Sequence, residues 1–248
     1  MDRLGLIVSE TTEPVANVAL EEALLDAVVS GELPPLLRVW RNEPCVVLGA
    51  NRKVESDVDL GRMRLDDLPL VRRHSGGGTV YHDLNNYNLS LILRIDETEG
   101  AQTIPSSIEL FCGWIIAVLE GIGLKGEKTG ISDVSVNSLK ISGHAQARRR
   151  GVVLHHATVL NRVDLKTMER YLRVPPERAG IEHRDFVTSL KKLGKPLSFA
   201  DFCSISIAET GRFFALEHGY DKILSESLPG VKQLLEERYA REDWTLRR

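Results

Sequence analysis

Between Asn88 and Ile95, Leu89, Leu91, Leu93 and Ile95 alternate with Asn88, Ser90 and Arg94, the two-residue period of a half-buried strand. Residues 4–9 predict an earlier strand. From Pro14 the period lengthens: Ala16, Leu20, Ala23, Leu24, Ala27 and Val28 form one helical stripe that opens near Thr12 and closes at Gly31. Leu36–Trp40 and Cys45–Leu48 read as strands joined by the turn-like Arg41-Asn42-Glu43-Pro44, which predicts a hairpin. Residues 70–73 lead into a glycine-rich segment. Residues 104–122 carry apolar side chains at helical spacing and predict a long helix across the sheet. Residues 133–137, Leu139–Arg149 and Val152–Leu160 read as a three-strand meander with a turn at Asn137-Ser138. Helices are predicted over 164–172, 198–216 and 227–242, punctuated by Pro175-Pro176 and Gly194-Lys195-Pro196. Strands clustered between helical regions predict an α+β fold, one domain over 1–248 with a mixed or antiparallel central sheet.

Composition narrows the class. With 42% hydrophobic residues in 248, the chain can bury a sizeable core. The net charge is −3 and the basic run is confined to Arg148-Arg149-Arg150, so no nucleic-acid footprint is expected. Cys45, Cys112 and Cys203 are widely separated, which fits a reducing compartment better than a disulfide or metal framework. The apolar run at the N-terminus is short for a signal peptide, and no uninterrupted apolar run of ~18 residues occurs. A cytoplasmic protein without a membrane span is expected.

The chemistry concentrates in two segments. In Arg72-Arg73-His74-Ser75-Gly76-Gly77-Gly78-Thr79, three residues without Cβ let a ligand approach backbone N–H groups, and the arginines suit an anion. The same pattern also fits a glycine-rich hairpin with solvated arginines. In the second segment, strict alternation puts Lys140, Ser142, His144 and Gln146 on one face, with Ile141, Gly143, Ala145 and Ala147 on the other. The polar row is either a solvent face or a set that brings Lys140 to the cleft of the glycine loop. His155 and His156 face opposite ways and cannot share a metal. Gly126-Glu127-Lys128-Thr129 imitates the end of a phosphate-binding P-loop, but Glu127 separates glycine from lysine, and it is rejected.

Taken together, Arg72-Arg73-x-Ser75-Gly76-Gly77-Gly78-Thr79-Val80-Tyr81-His82-Asp83-Leu84 and Lys140-Ile141-Ser142-Gly143-x-Ala145-Gln146 resemble the two signatures of the lipoate-protein ligase family, in that family's order. Weaker echoes are Asn17-x-Ala19-x-Glu21-Glu22-Ala23, Val46-Val47-Leu48-Gly49, the histidine strand and Tyr239-x4-Trp244. The resemblance implies a biotin-ligase-like fold and two acyl-transfer steps. Lipoate and ATP would give lipoyl-adenylate, and a lysine of a lipoyl domain would then take the acyl group. The acceptors would be lipoyl domains of 2-oxoacid dehydrogenases or glycine-cleavage-type proteins.

By the same resemblance Lys140 would bridge the acyl carbonyl and a phosphate oxygen, where negative charge develops in both steps. Arg73 would neutralise phosphate charge, with Gly76, Gly77 and Gly78 as the cradle and Thr79, Val80 and Tyr81 bordering the adenylate. Ser142 and Gly143 belong to the lysine signature. Asp133 would hold Mg²⁺ or orient the incoming lysine, unless it is a turn cap. His156 would pack or touch the ligand, and His82 and Asn88 would shape the loop.

Two departures stand out: Gly49-Ala50-Asn51-Arg52 replaces the family's Gly-Arg-x-Gln, and Ser132-Asp133 replaces its Asn-Asp. Many members carry a further small accessory domain, whereas this sequence runs four residues past Trp244. An accessory protein supplied in trans, or restriction to the transfer step, is the expectation. The rival readings are an octanoyl or lipoyl transferase of the same fold, which needs a reachable cysteine, and a non-catalytic lipoate or adenylate carrier.

Overall fold

The computed structural model describes residues 2–173, 185–223 and 228–247. Its frame is an eight-stranded mixed sheet and a three-stranded one, with helix α1 wedged between them. In chain order the elements are β1 (Leu4–Val8), α1 (Pro14–Ser30), β2 (Leu36–Trp40), β3 (Cys45–Leu48), α2 (Val54–Asp57), α3 (Leu60–Leu65), β4 (Leu70–Arg72), β5 (Val80–His82) and β6 (Asn86–Arg94). They continue with α4 (Ile104–Gly121), β7 (Glu127–Thr129), β8 (Asp133–Val136), β9 (Leu139–Arg149), β10 (Val152–Leu160), α5 (Leu165–Tyr171), α6 (Phe199–Phe213) and β11 (Tyr220–Lys222). The last are α7 (Pro229–Leu234), a π-helical turn Leu235–Tyr239 and α8 (Glu242–Thr245).

The large sheet runs β11-β1-β2-β6-β10-β9-β8-β7, parallel where β1 meets β11 and β2 and antiparallel elsewhere. The small sheet runs β4-β3-β5. On one face of the large sheet, Leu89, Leu91 and Leu93 of β6 pack with Phe111, Trp114 and Ile115 of α4 and Phe202 of α6. The opposite face turns Ile92 and Leu154 toward Leu20, Leu24 and Val28 of α1. Helix α4 has a mean hydropathy of 1.4, enough by length and composition to cross a bilayer, yet it is a core helix here. Its Trp114 indole donates to Thr210 Oγ1 of α6 at 2.8 Å.

Several expectations change. β6 is buried on both faces, because α1 covers the side that simple alternation left to solvent. Helix α1 is likewise buried nearly all round: Val18 and Ala19 pack on the small sheet while Leu24 and Val28 pack on the large one. Its N-cap is Glu13 rather than Thr12, and Gly31 closes it with φ 83°. β2 and β3 do not form the predicted hairpin; the turn between them sends the chain from one sheet into the other. The meander is present, and residues 126–129, rejected as a P-loop, enter the edge strand β7. The last predicted helix is broken by the π-helical turn, and its start at Ser227, like Pro175-Pro176, lies outside the described residues.

Candidate active site

Lys140 reaches the site through an irregularity in β9. Ser142 pairs with Val134 and Lys140 with Ser135, so Ile141 is an extra residue in the ladder, a β-bulge. The bulge interrupts strict alternation. Ser142, His144, Gln146 and Arg148 face α4, where Gln146 Oε1 accepts from Ser107 Oγ at 3.1 Å. Gly143, Ala145 and Arg149 face α1. Lys140 joins this second set: its Nζ lies 3.0 Å from where a Cβ on Gly143 would stand, so the ammonium rests directly over that glycine. The expectation that Lys140 shares a face with Ser142, His144 and Gln146 is therefore corrected. The Lys140 backbone is pinned by its N–H to Phe186 O and its C=O to Thr188 N, both at 2.8 Å. Asp133 of β8 holds the ammonium at 2.7 Å.

The glycine loop lies across β9. A Cβ on Gly77 would meet Ala145 Cβ at 3.0 Å, and a Cβ on Gly49 would stand 2.2 Å from Gly77 O, so both glycines permit a close backbone approach. Arg73 shapes this loop from beneath. Its guanidinium donates to Gly76 O at 2.6 Å, Gly78 O at 2.7 Å, Val47 O at 3.3 Å and Ser75 Oγ at 3.0 Å. Arg73 is 6% exposed and itself borders the cavity beside this loop. Burial lowers its pKa to about 10, partly offset by Glu21. Arg72 binds Thr245 O and Arg52 O, tying the C-terminal segment to the loop after β3.

A cavity of about 180 Å³ opens beside these groups. It is lined by Arg73, Gly77, Gly78, Thr79 and Val80 of the loop and β5, by Val18 and Glu21 of α1, and by Trp40, His82, Asn88, Asp133, Lys140, Gly143, His156 and Thr158. A larger groove of about 490 Å³ continues outward past Gly78, Thr79 and Lys140 to Arg52, Ile131, Arg173 and Phe186. Thr79 also donates to Asp57, itself held by both Arg52 Nε at 2.6 Å and Arg52 Nη2 at 2.7 Å.

Glu21 is 2% exposed, and its carboxylate meets His156 Nδ1 at 2.6 Å. Burial alone would raise the Glu21 pKa; His156, Arg38 and the Ser90 hydroxyl outweigh it and lower the value to about 2. The other His156 nitrogen lies 2.9 Å from Ser75 Oγ. His82 is buried and its pKa is lowered to about 3, mainly by desolvation. Among the remaining candidates, Ser142 is buried on the α4 side with His144, Tyr81 packs on Tyr171, and Gly76 lies on the Arg73 side of the loop, none of them bordering the cavity. Glu21, Trp40 and Thr158 were not singled out from the sequence as site residues; the signal for Glu21 was its place in Asn17-x-Ala19-x-Glu21-Glu22-Ala23.

No cysteine borders the cavity. Cys112 and Cys203 belong to the core on the α4 face of the sheet, and burial raises each thiol to about 11. Cys45 is fully buried in β3, with its pKa raised further by burial. Among the described residues no group of three or more His, Cys, Asp or Glu side chains could hold a metal.

The family described as lipoyl protein ligase A/B catalytic domain matches residues 13–210. The chain belongs to this family. Lipoate-protein ligase A subunit 1 of Thermoplasma acidophilum is 29% identical to this member over 93% of its length and 91% of the relative's. Octanoyltransferase LipM of Brevibacillus brevis is 24% identical over the whole of both chains. Among solved structures, a bi-partite lipoate protein ligase of T. acidophilum, described with its E2 lipoyl domain, superposes with a TM-score of 0.86 at 28% identity, covering 99% of this chain and 97% of the other. A lipoate-protein ligase A bound with ATP gives 0.84 at 27% identity and 99% coverage of both. This lipoyl ligase family member thus has the α+β fold of the lipoate ligases.

Proposed function

We propose that the protein is an ATP-dependent lipoate-protein ligase. The observation that carries this reading is that the Lys140 ammonium, seated over Gly143 and held by Asp133, borders one cavity with Gly77 and Gly78. In the first step a lipoate carboxylate oxygen attacks the α-phosphorus of ATP and pyrophosphate leaves. In the second, the ε-amine of a lipoyl-domain lysine attacks the acyl carbonyl, loses a proton, and AMP departs. Both transition states gather negative charge between carbonyl and phosphate oxygens, where a fixed ammonium and loop N–H groups stabilise it more than in the ground state. The inner cavity suits the acyl chain and the outer groove suits the nucleotide.

Among the described residues, Asp133 is the carboxylate that borders both cavity and groove beside Lys140. Mg²⁺ is commonly held by one or two carboxylates together with substrate phosphates, so these residues fit the ion once a nucleotide is present. The ion would neutralise phosphate charge there. The likeness to a ligase named as subunit 1 and to a bi-partite ligase supports an accessory partner in trans and a lipoyl domain as acceptor.

The full-length likeness to an octanoyltransferase favours a second reading, acyl transfer through a cysteine thioester. Against it, the described cysteines lie away from the cavity with raised pKa values. The deciding assay is pyrophosphate release from ATP with lipoate and a lipoyl domain, with and without an accessory protein. Pyrophosphate formed in step with lipoylation supports the ligase. Lipoyl or octanoyl transfer from a carrier without ATP defeats it.

A further inference from the structure

A chain of hydrogen bonds with a forced direction ends on Asn88. It starts at Arg38, fully buried, whose guanidinium can only donate and does so to Asn17 Oδ1. That fixes the amide of Asn17, whose Nδ2 donates to Asn42 Oδ1 at 2.8 Å. Asn42 Nδ2 then donates to His82 Nδ1 at 3.1 Å, which leaves the His82 proton on Nε2, directed at Thr158 Oγ1 at 3.2 Å. The Thr158 hydroxyl donates in turn to Asn88 Oδ1 at 2.7 Å. What remains is Asn88 Nδ2, buried and without a protein partner, on a 1% exposed side chain that borders the cavity. A buried donor without an acceptor is costly, and turning the amide over would only exchange it for another loss, because the Thr158 hydroxyl proton would then have no acceptor in Asn88.

The sheet register shows where this donor stands along a bound acyl chain. Gly143 pairs with Thr158, Thr158 with Asn88, and Asn88 with Trp40, so these residues form one row across four strands. Gly143 is the residue beneath the Lys140 ammonium. Asn88 is two strand spacings away, ~9.6 Å. An acyl group whose carbonyl sits at Lys140 and whose chain follows the row brings its far end to Asn88, with the Trp40 indole next in line.

We propose that Asn88 is a specificity-determining residue whose Nδ2 donates a hydrogen bond to an acceptor at the far end of the acyl group. On the ligase reading, which this rests on, that acceptor is a sulfur of the dithiolane ring, and the methyl end of octanoate leaves the donor unpaired. Sulfur is a weak acceptor that also packs well beside an aromatic ring such as Trp40. The preference for lipoate over octanoate is therefore about tenfold, the cost of one unpaired buried donor.

The test is calorimetric titration of lipoate and of octanoate into the nucleotide-free protein and into Asn88→Leu, which keeps the volume and removes the donor. Thr158→Val, which cuts the chain one residue earlier, serves as the second variant should Asn88→Leu not fold by circular dichroism. Lipoate bound about tenfold more tightly than octanoate by the parent protein, with the ratio falling toward one in a folded variant through loss of lipoate affinity, supports the proposal. An unchanged ratio in the variants, or no preference in the parent, overturns it. Pyrophosphate release is measured in parallel. Release with lipoate but no effect of Asn88→Leu on the ratio removes the role of Asn88 and keeps the ligase; selective binding without release keeps Asn88 and removes the ligase.

Discussion

The Glu21 carboxylate and the His156 imidazole meet at 2.6 Å, and the far nitrogen of that ring meets Ser75 Oγ at 2.9 Å, joining a buried charge on α1 to the residue before the glycines. The order carboxylate, imidazole, hydroxyl is that of a hydrolase triad. Here, however, Ser75 is 1% exposed and accepts from Arg73 Nε at 3.0 Å, so the relay anchors the loop from below.

Removing the charge from this relay leaves His156 and the Ser90 hydroxyl facing a void or an unpaired group. Glu21→Ala is expected to cost about 3–5 kcal/mol, the range for breaking a buried charged pair. The folded pKa of Glu21 is depressed to about 2 from 4.5, so its contribution is present above pH 4.5 and fades as pH falls toward 2. Urea unfolding at pH 7 and pH 3 checks this: the gap between parent and variant narrows at the lower pH.

Gly143 offers a sharper probe of geometry than deletion of the lysine itself. A Cβ there would lie 3.0 Å from Lys140 Nζ and 3.1 Å from Cε, and the flexible end of the side chain would move aside. Gly143→Ala is expected to fold normally and to lose about 100-fold in kcat, the effect of displacing a catalytic group by ~1 Å. Lys140→Ala is expected to abolish both pyrophosphate release and transfer, with an unchanged melting temperature. Full activity in either folded variant would remove the ammonium from the chemistry.

How much of this was legible beforehand differs residue by residue. The two signatures located the glycine loop and Lys140, and periodicity located the meander and α4, because local pattern governs both. The face of Lys140 was misread because one extra residue at Ile141 reverses a strand's alternation without altering its composition. The hairpin of β2 and β3 failed because a short turn looks alike whether the strands pair or part into separate sheets. Glu21, Thr158 and Trp40 became site residues only through register and helix packing between distant segments, which a single sequence does not display. Arg73 shows the reverse: its charge was visible, but not that loop carbonyls occupy its donors.

The cysteines give a direct contest between the two acyl-transfer readings. Thiolate is the nucleophile in thioester chemistry, and burial holds the Cys112 and Cys203 thiols at about 11, where almost none ionises near neutral pH. Cys203→Ser and Cys112→Ser are expected to keep at least half of the parent's lipoylation rate, measured by mass shift of a lipoyl domain. A folded but inactive Cys203→Ser would move the assignment to the transferase.

Acid should unfold this protein through its buried histidines. His82 and His144 have pKa values lowered to about 3, and His155 lies well below its usual 6.5, in each case chiefly because burial disfavours the charged ring. The unfolded chain therefore binds more protons below pH 6.5, so the stability these rings contribute is complete above 6.5 and is lost as pH falls toward 3. Each costs about 1.4 kcal/mol per pH unit in that window. Three acting together remove a large part of the 5–15 kcal/mol typical of a folded domain by about pH 5. His144 and His155 sit 3.0 Å apart, with the His155 ring stacked on Phe111 and its Nδ1 unpartnered. His155→Phe keeps the stacking and removes one protonation site, so the slope of unfolding free energy between pH 6.5 and 5 should fall by about 1.4 kcal/mol per pH unit. An unchanged slope would show that His155 is protonated in the folded state and would remove it from the acid unfolding.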